Sequence, residues 1–360
     1  MTGLALVLAV GLVWLMLPVF NQWSGKTLGL AAFFQLPMLV GLLVVGMVAG
    51  LLAGSYPAFF LSGFQPVRVL KGTLAMGQQG GLPLRRLLVV VQFMVSTVLI
   101  ISTVVVFRQL TYLQEKNLGF SKEQLIQLPM HSNEMRRNYE SLKAELTRQP
   151  GITSATACYG LPGSLFATDG IRVPGKLSEF SITMFLVDED YIPTLDIPVV
   201  AGRNFSKAFG TDATQSFILN ETAVQTLGLG SPAQVIGHKV TWRKWVPPGT
   251  ADSLKYGMVV GVVKDFHYKS LHQKIEPLVM HIFPDGFSAM VVKVRPEQTE
   301  ATLQYLQKKW QQLLPDWPFE YTFLDEQFVR KYESEQSFSK VFGLFTGLSI
   351  FIACMGLLGL

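Results

Sequence analysis

The stretch TLGLAAFFQLPMLVGLLVVGMVAGLLAGSYPAFFLSGFQPV, residues 27–67, lies between Lys26 and Arg68 and holds no charged side chain. A lone ionised group near a bilayer centre costs upward of about 2.5 kcal/mol, so a charge-free run of this length marks sequence that spans lipid. Three further apolar runs share its character, at residues 2–20, 87–107 and 341–360. At about 1.5 Å rise per residue each reaches across a hydrocarbon core of about 30 Å. The expected fold class is an α-helical transmembrane bundle of about four spans plus an α+β extracytoplasmic domain on two stalk helices.

The 49% hydrophobic and 15% charged content and the mean hydropathy of +0.34 average two unlike parts. Residues 108–340 have ordinary globular composition and are numerous enough to bury a core. The organisation expected is two transmembrane helices in 1–64, a basic cytoplasmic linker at 65–86, a third span at 87–107, an extracytoplasmic domain with its stalks at 108–340, and a fourth span at 341–360. Arg68, Lys71, Arg85 and Arg86 lie in the short link with no acidic residue among them. Short basic loops stay in the cytoplasm, so this link is placed inside and the 108–340 domain outside. The net charge of +5 is modest, and no nucleic-acid partner is expected. Cys158 and Cys354 fall on opposite parts of this layout, so no disulfide framework is expected, which is unremarkable for an extracytoplasmic domain in bacteria and less usual in a eukaryotic secreted context. The N-terminal run lacks the basic start of a signal peptide. Both ends run straight into spans, and the chain reads as a piece of a longer membrane protein.

Gly41, Gly46, Gly50 and Gly54 in the second span, and Gly343, Gly347, Gly356 and Gly359 in the fourth, repeat at spacings that let helices approach closely in lipid. Both spans read as lacking polar residues that would drive association otherwise. Past Phe107, Leu110, Leu113 and Leu118 continue a helical pattern to Gly119 as one stalk; Phe328, Tyr332 and Phe338 mark the other. Between the stalks, QLIQLPM reads as a strand, followed by a helix from an Asn133 cap to about Gln149, and ITSATACYG reads as a second strand. SAMVVKVRP, a helix with Leu303, Leu306, Trp310 and Leu313 on one face, and FEYTFLDEQF form a second strand-helix-strand unit. FSITMFLVD, the 237–241 region and MVVGVVKDF are read as strands of a mostly β subdomain, inserted at about 188–273.

Residues with chemical potential are few. WSGKT at 23–27 imitates the tail of a phosphate-binding loop, but the position needing the first glycine is Phe20 and no strand precedes it. His267 and His272, with Asp265 and Glu276 nearby, fit no common metal spacing and read as solvated loop residues. His131, His238 and His281 read as isolated, and Asp188-Glu189-Asp190 as a strand end in water. Asn220-Glu221-Thr222 is formally a glycosylation sequon. No nucleophile elbow, paired-cysteine motif or His-Glu-x-x-His pattern occurs. No catalytic, cofactor-binding or metal-binding residue is expected, and no enzyme.

Several segments, taken in order, resemble a known family. GSYPAFFLSGFQPVRVLKG (54–72) resembles the end of the fourth helix of a permease half, and LRRLLVVVQFMVSTVLIISTVVVFRQLTYLQEKNLGF (84–120) the first helix of the next half and its stalk. DYIPTLDIPVVAGRNF (190–205), FILNETAVQTLGL (217–229), VIGHKV (235–240) and VVGVVKDFHYKSLHQKIEP (259–277) are similar in content and order to a periplasmic core domain. The family is that of the FtsX-like and MacB-like permeases of ATP-binding cassette transporters, in the two-halved form of Bacteroidetes. The resemblance implies a multi-pass protein of the bacterial cytoplasmic (inner) membrane with its large domain in the periplasm. Its partners would be a separate cassette-type ATPase subunit, membrane lipid, a second permease copy or half, and a periplasmic partner. The implied function is mechanotransmission, coupling ATP hydrolysis to periplasmic work such as peptide or drug efflux or lipoprotein release. On that plan both coupling loops lie beyond the two ends of this sequence. The competing reading is a transmembrane sensor or scaffold regulating an extracytoplasmic partner.

The orientation rests on the basic link. Cysteines placed at Gln79 and Ser178, in a background lacking Cys158 and Cys354, are expected to differ towards an impermeant thiol reagent on intact cells whose outer membrane has been permeabilised. Ser178 should label and Gln79 should not; the reverse pattern would invert the topology.

Overall fold

The computed structural model describes residues 2–29, 31, 35–62, 82–164, 166–243, 254–331 and 333–358. The chain divides into two compact units, Met1–Glu115 with Tyr332–Leu360, and Lys116–Lys331.

The first unit is helical. α1 (Thr2–Ser24), α2 (Leu36–Ser62), α3 (Leu82–Glu115) and α11 (Glu333–Leu358) each contain a segment long and apolar enough to cross a membrane. The basic residues Arg68 and Lys71 of the expected linker lie outside the described residues, whereas the linker's last residues belong to α3, which starts at Leu82. α3 runs unbroken past Phe107 to Glu115, so the first stalk is a continuation of its span. The glycines do not act alike. A Cβ at Gly46 would run into Leu6 of α1 and one at Gly50 would lie 3.3 Å from Thr2, while at Gly41, Gly54, Gly343 and Gly347 it would meet nothing within 4 Å. Among the glycines whose surroundings are described, close approach therefore belongs to the α1–α2 contact and not to Gly343 or Gly347 of α11.

The Lys116–Lys331 unit is built on one sheet. Its strands are β1 (Leu125–Pro129), β2 (Ile152–Tyr159), β3 (Ala167–Arg172), β4 (Phe180–Val187), β5 (Val199–Gly202), β6 (Ser216–Asn220), β7 (Lys239–Arg243), β8 (Leu254–Val263), β9 (Leu278–His281), β10 (Ala289–Val294) and β11 (Thr322–Phe323). The two expected strand-helix-strand units are present. β1 leads through α4 (Asn133–Arg137) and α5 (Tyr139–Leu146) to β2, and β10 through α9 (Thr299–Leu313) to β11. Pairing runs β11-β1-β10-β2-β4.

β4 is the branch point. It pairs with β2 through Leu186 and Val187, with β3 through Phe180–Met184, and in parallel with β9 through Thr183–Leu186. From β3 the ladder passes through β7, β8 and β6 to β9 and so returns to β4. The ring is a closed barrel. It takes in β3, β4 and β9, which lie outside the expected 188–273 interval. The reason is visible in the strands: β4, β6 and β9 are buried on both faces and read as continuous apolar runs, without the alternation of a half-exposed strand. Along β4, Ile182 and Met184 enter the core inside the barrel beside Trp242 and Phe217, while Phe185 and Val187 join Tyr191, Phe266 and Tyr268 on the other side. A third core, with Leu142, Leu146, Leu306 and Trp310, lies between the sheet and helices α5 and α9, while the short helices α6 (Tyr191–Thr194), α7 (Asp212–Gln215) and α8 (Glu221–Thr226) lie in the connections between β4 and β7.

Three local expectations are corrected. Ser132, not Asn133, caps α4, its hydroxyl accepting from the Met135 amide, and the helix to Gln149 is broken at Asn138 into two. The strand in FEYTFLDEQF is only β11; α10 (Leu324–Lys331) begins at once after it. The helical second stalk is therefore represented by α10 and α11, with Tyr332 outside the described residues.

Candidate functional site

In the helical unit, side-chain hydrogen bonds join α3 and α11. The Ser96 and Ser349 hydroxyls are 2.9 Å apart and those of Thr103 and Thr346 2.6 Å. Ser96 also reaches the Ser349 carbonyl, and Thr346 the carbonyls of Phe342 and Leu99. Ser96 and Thr346 are among the few buried side chains of these helices, at 4% and 6% exposure. Lipid gives two apolar helices no hydrophobic reason to associate, so packing and interhelical hydrogen bonds must hold them. The expectation that the fourth span lacks polar residues for association is thus overturned. The signal was present in the sequence as hydroxyls seven apart in one span, at Ser96 and Thr103, and three apart in the other. Beside the pair runs an apolar groove of about 500 Å³ lined by residues including Gln92, Val95, Leu99, Phe342, Phe345 and Ile352.

In the Lys116–Lys331 unit the acidic triplet is not a strand end in water. Asp188 is buried just past β4, where its carboxylate accepts from Lys143 Nζ at 2.6 Å, from the Thr156 hydroxyl, and from the amides of Ala157 and Asp190 at 3.0 and 3.1 Å. Lys143, on the inner face of α5, also lies 2.6 Å from Asp190. Burial works against the charge on Lys143; the carboxylates of Asp188 and Asp190 outweigh it and hold its pKa above the ordinary lysine value. Lys207 joins the group from outside, 2.7 Å from Glu140 and 2.9 Å from Glu189. Glu140, Lys143, Asp190 and Lys207 line a pocket of about 330 Å³ together with Thr147, Thr153 and Ser154. Each carboxylate already has a lysine, which leaves the triplet a poor calcium site.

The NET sequence at 220–222 interlocks with Asp265. Asn220 accepts from the Ala223 and Leu278 amides and donates to the Glu276 carbonyl, with 1% of its surface exposed. Glu221 accepts from the Asp265 amide, and Asp265 accepts from the Thr222 amide and hydroxyl. The sequon is therefore a buried helix cap with a reciprocal clasp, not a modification site. With Asp265 committed to Thr222 and Glu276 to Lys269, His267 and His272 are not brought into a ligand set, and no group of three potential ligands forms among the described residues. His267 instead lies on a pocket of about 570 Å³ with Asn117, Ser121, Asp196, Lys264 and Asp265. WSGKT sits where α1 ends, and the turn is closed by Asn21, which bonds the Leu28 amide and carbonyl.

His281 is not isolated. It is fully buried inside the barrel, 4.2 Å from the Trp242 ring, and burial with Lys255 nearby holds its pKa well below the usual value, so it is neutral. His131 stacks on Trp317 and lies 3.6 Å from Glu320. Cys158 is buried and unreactive, its thiol pushed up by burial and by Asp188.

No family model and no curated protein sequence matches this chain. Solved structures do. The periplasmic region of MacB from Actinobacillus actinomycetemcomitans aligns over 61% of this chain and 96% of its own, at 16% identity and a TM-score of 0.41. The extracellular domain of the noncanonic ABC-type transporter YknZ from Gram-positive bacteria aligns over 55% and 98%, at 16% identity and 0.39. A domain of a putative permease protein from Porphyromonas gingivalis aligns over 56% and 91%, at 13% identity and 0.37.

Removing one partner of a buried ion pair typically costs about 3–5 kcal/mol. Lys143→Met in the full chain is therefore expected to lower unfolding stability by about that amount. Lys274→Met, at an exposed position, should change it by less than about 0.5 kcal/mol. Denaturant titration of the purified protein in detergent checks both; equal effects would remove the structural role assigned to Lys143.

Proposed function

We propose that this chain is the permease subunit, or part of one, of an ATP-binding cassette transporter, FtsX-like in its membrane part and MacB-like in its extramembrane unit. The observation that carries the reading is the hydroxyl seam between α3 and α11, the two helices that bracket residues 116–331 in the sequence. A pair joined in this way transmits displacement along its axes better than two helices free to slide. The ordered resemblance of segments 54–72, 84–120, 190–205, 217–229, 235–240 and 259–277 to the permease family supports it. On this reading a separate cytoplasmic ATPase supplies the energy, and the chain itself performs no bond chemistry. The protein lies in the bacterial inner membrane beside a second copy or half, and the 116–331 unit works on cargo or a partner in the periplasm. A sensor would share the external domain, and it would not need the additional membrane-length helices α1 and α2.

A proline in a helix interior costs about 3 kcal/mol and kinks the axis. Gln109 is exposed on α3 beyond Phe107, so Gln109→Pro breaks the helix without removing a packed side chain. The variant is expected to insert and fold, and to retain ATPase activity in complex with its proposed cassette ATPase. Complementation of a deletion strain should fall at least about tenfold. Thr250→Pro, in the Pro-Pro-Gly-Thr stretch, should complement fully. Full complementation by Gln109→Pro at unchanged protein level, or ATP hydrolysis by the purified chain alone, would contradict the proposal.

A further inference from the structure

The wall of the barrel formed by β7 and β8 presents two unlike faces. Register places Val240 opposite Gly257 and Trp242 opposite Lys255 on the inner face, where Val240, Trp242 and Lys255 are all buried. Lys239 opposite Met258, Thr241 opposite Tyr256 and Arg243 opposite Leu254 make the outer face. Tyr256 is 63% exposed and Met258 45%, both unusually open for large apolar side chains on a strand. Lys239 and Arg243 are exposed and neither has an ion-pair partner among the described residues, in contrast to Lys143, Lys207, Lys269, Lys293 and Lys309, which all do. β3 adds Arg172 to the same face opposite Thr241, held by Glu179 at 3.4 Å.

We propose that the outer β7–β8 face docks an acidic segment of a protein partner, with Tyr256 and Met258 as the apolar anchor and Lys239 and Arg243 as the flanking cations. Tyr, Met and Arg are the residue types that interfaces concentrate, while unpaired cations beside them select a partner of opposite sign. Lys239 and Arg243 are four residues apart on one strand, so their stems are separated by about 13 Å. An extended partner matches that spacing with carboxylates four residues apart and an apolar residue between them. A lipid surface fits less well: each cation near an anionic membrane is worth about 1 kcal/mol, and two are too few to hold a protein there.

The test uses the full chain in phosphatidylcholine nanodiscs passed over densely coupled five-residue peptides, Glu-Thr-Phe-Thr-Glu and Lys-Thr-Phe-Thr-Lys. The wild-type chain is expected to be retained at least about tenfold better on the glutamate peptide, a difference that fades with salt. Lys239→Glu with Arg243→Glu should reverse the preference, and Tyr256→Ala should weaken retention on the glutamate peptide about tenfold. All three positions are exposed, so folding is not at stake. Equal retention on both peptides, or a preference unchanged in the double variant, overturns the proposal. So does binding to phosphatidylglycerol vesicles that the double variant loses while neither peptide is preferred, an outcome that assigns the face to lipid.

Discussion

Two hydroxyl pairs, Ser96 with Ser349 and Thr103 with Thr346, fasten together the helices between which residues 116–331 are strung in the sequence. In lipid these contacts have little competition, because neither water nor a hydrophobic gain between apolar helices is on offer. Each is worth about 0.6 kcal/mol by the average of comparable cases, so two in one seam favour the paired arrangement over one in which the helices slide past each other. On the proposed function, a domain flanked in the sequence by such a pair would receive one coordinated input rather than two independent ones. That constraint gives meaning to the unbroken course of α3 from Leu82 to Glu115.

On the proposed reading the 116–331 unit is pushed and must resist deformation, a requirement that a closed sheet would meet. β4 serves three neighbours at once and is buried on both faces, so it cannot separate from one strand without disturbing the others. The polar groups reinforce the same places. Asp188, just past β4, is tied to α5 through Lys143 and to β2 through Thr156 and Ala157. The Asn220–Thr222 turn is tied to Asp265 and to the start of β9, and Arg203 grips the buried Asp212 with two hydrogen bonds while its guanidinium lies over Phe209. Gly202, which precedes that arginine, has φ +71°, and a Cβ there would strike the Val260 carbonyl. Segments that read as signatures, AGRNF, LNET and KDF, thus act as fasteners between strands and not as reactive groups.

Periodicity and composition were enough to read the four apolar helices and the two strand-helix-strand units, because those signals are local. The closure of the barrel was not, since it depends on β4 meeting β9 across nearly a hundred intervening positions, about which a single strand's pattern is silent. Charge misled in the same way. Asp188-Glu189-Asp190 looks like a solvated loop until α5 brings Lys143 over it, and His281 looks isolated until Trp242 closes on it. Within the spans the eye follows glycine, and the hydrogen-bonded seam between α3 and α11 is written in serine and threonine instead. The pairing of Lys239 and Arg243 with Tyr256 and Met258 likewise needs the β7–β8 register, which joins residues on either side of the 244–253 segment.

The central claim is that α3 and α11 move as one body. Ser96→Cys with Ser349→Cys, in a Cys354→Ser background, places two thiols where the hydroxyls now stand 2.9 Å apart, close enough for a disulfide to form under oxidation. If the pair moves together, cells carrying the oxidised, cross-linked protein should show full transporter-dependent activity, equal to that of the reduced form. Activity lost on oxidation and restored by reductant, at unchanged protein level, would mean that the helices must part to work and would contradict the account.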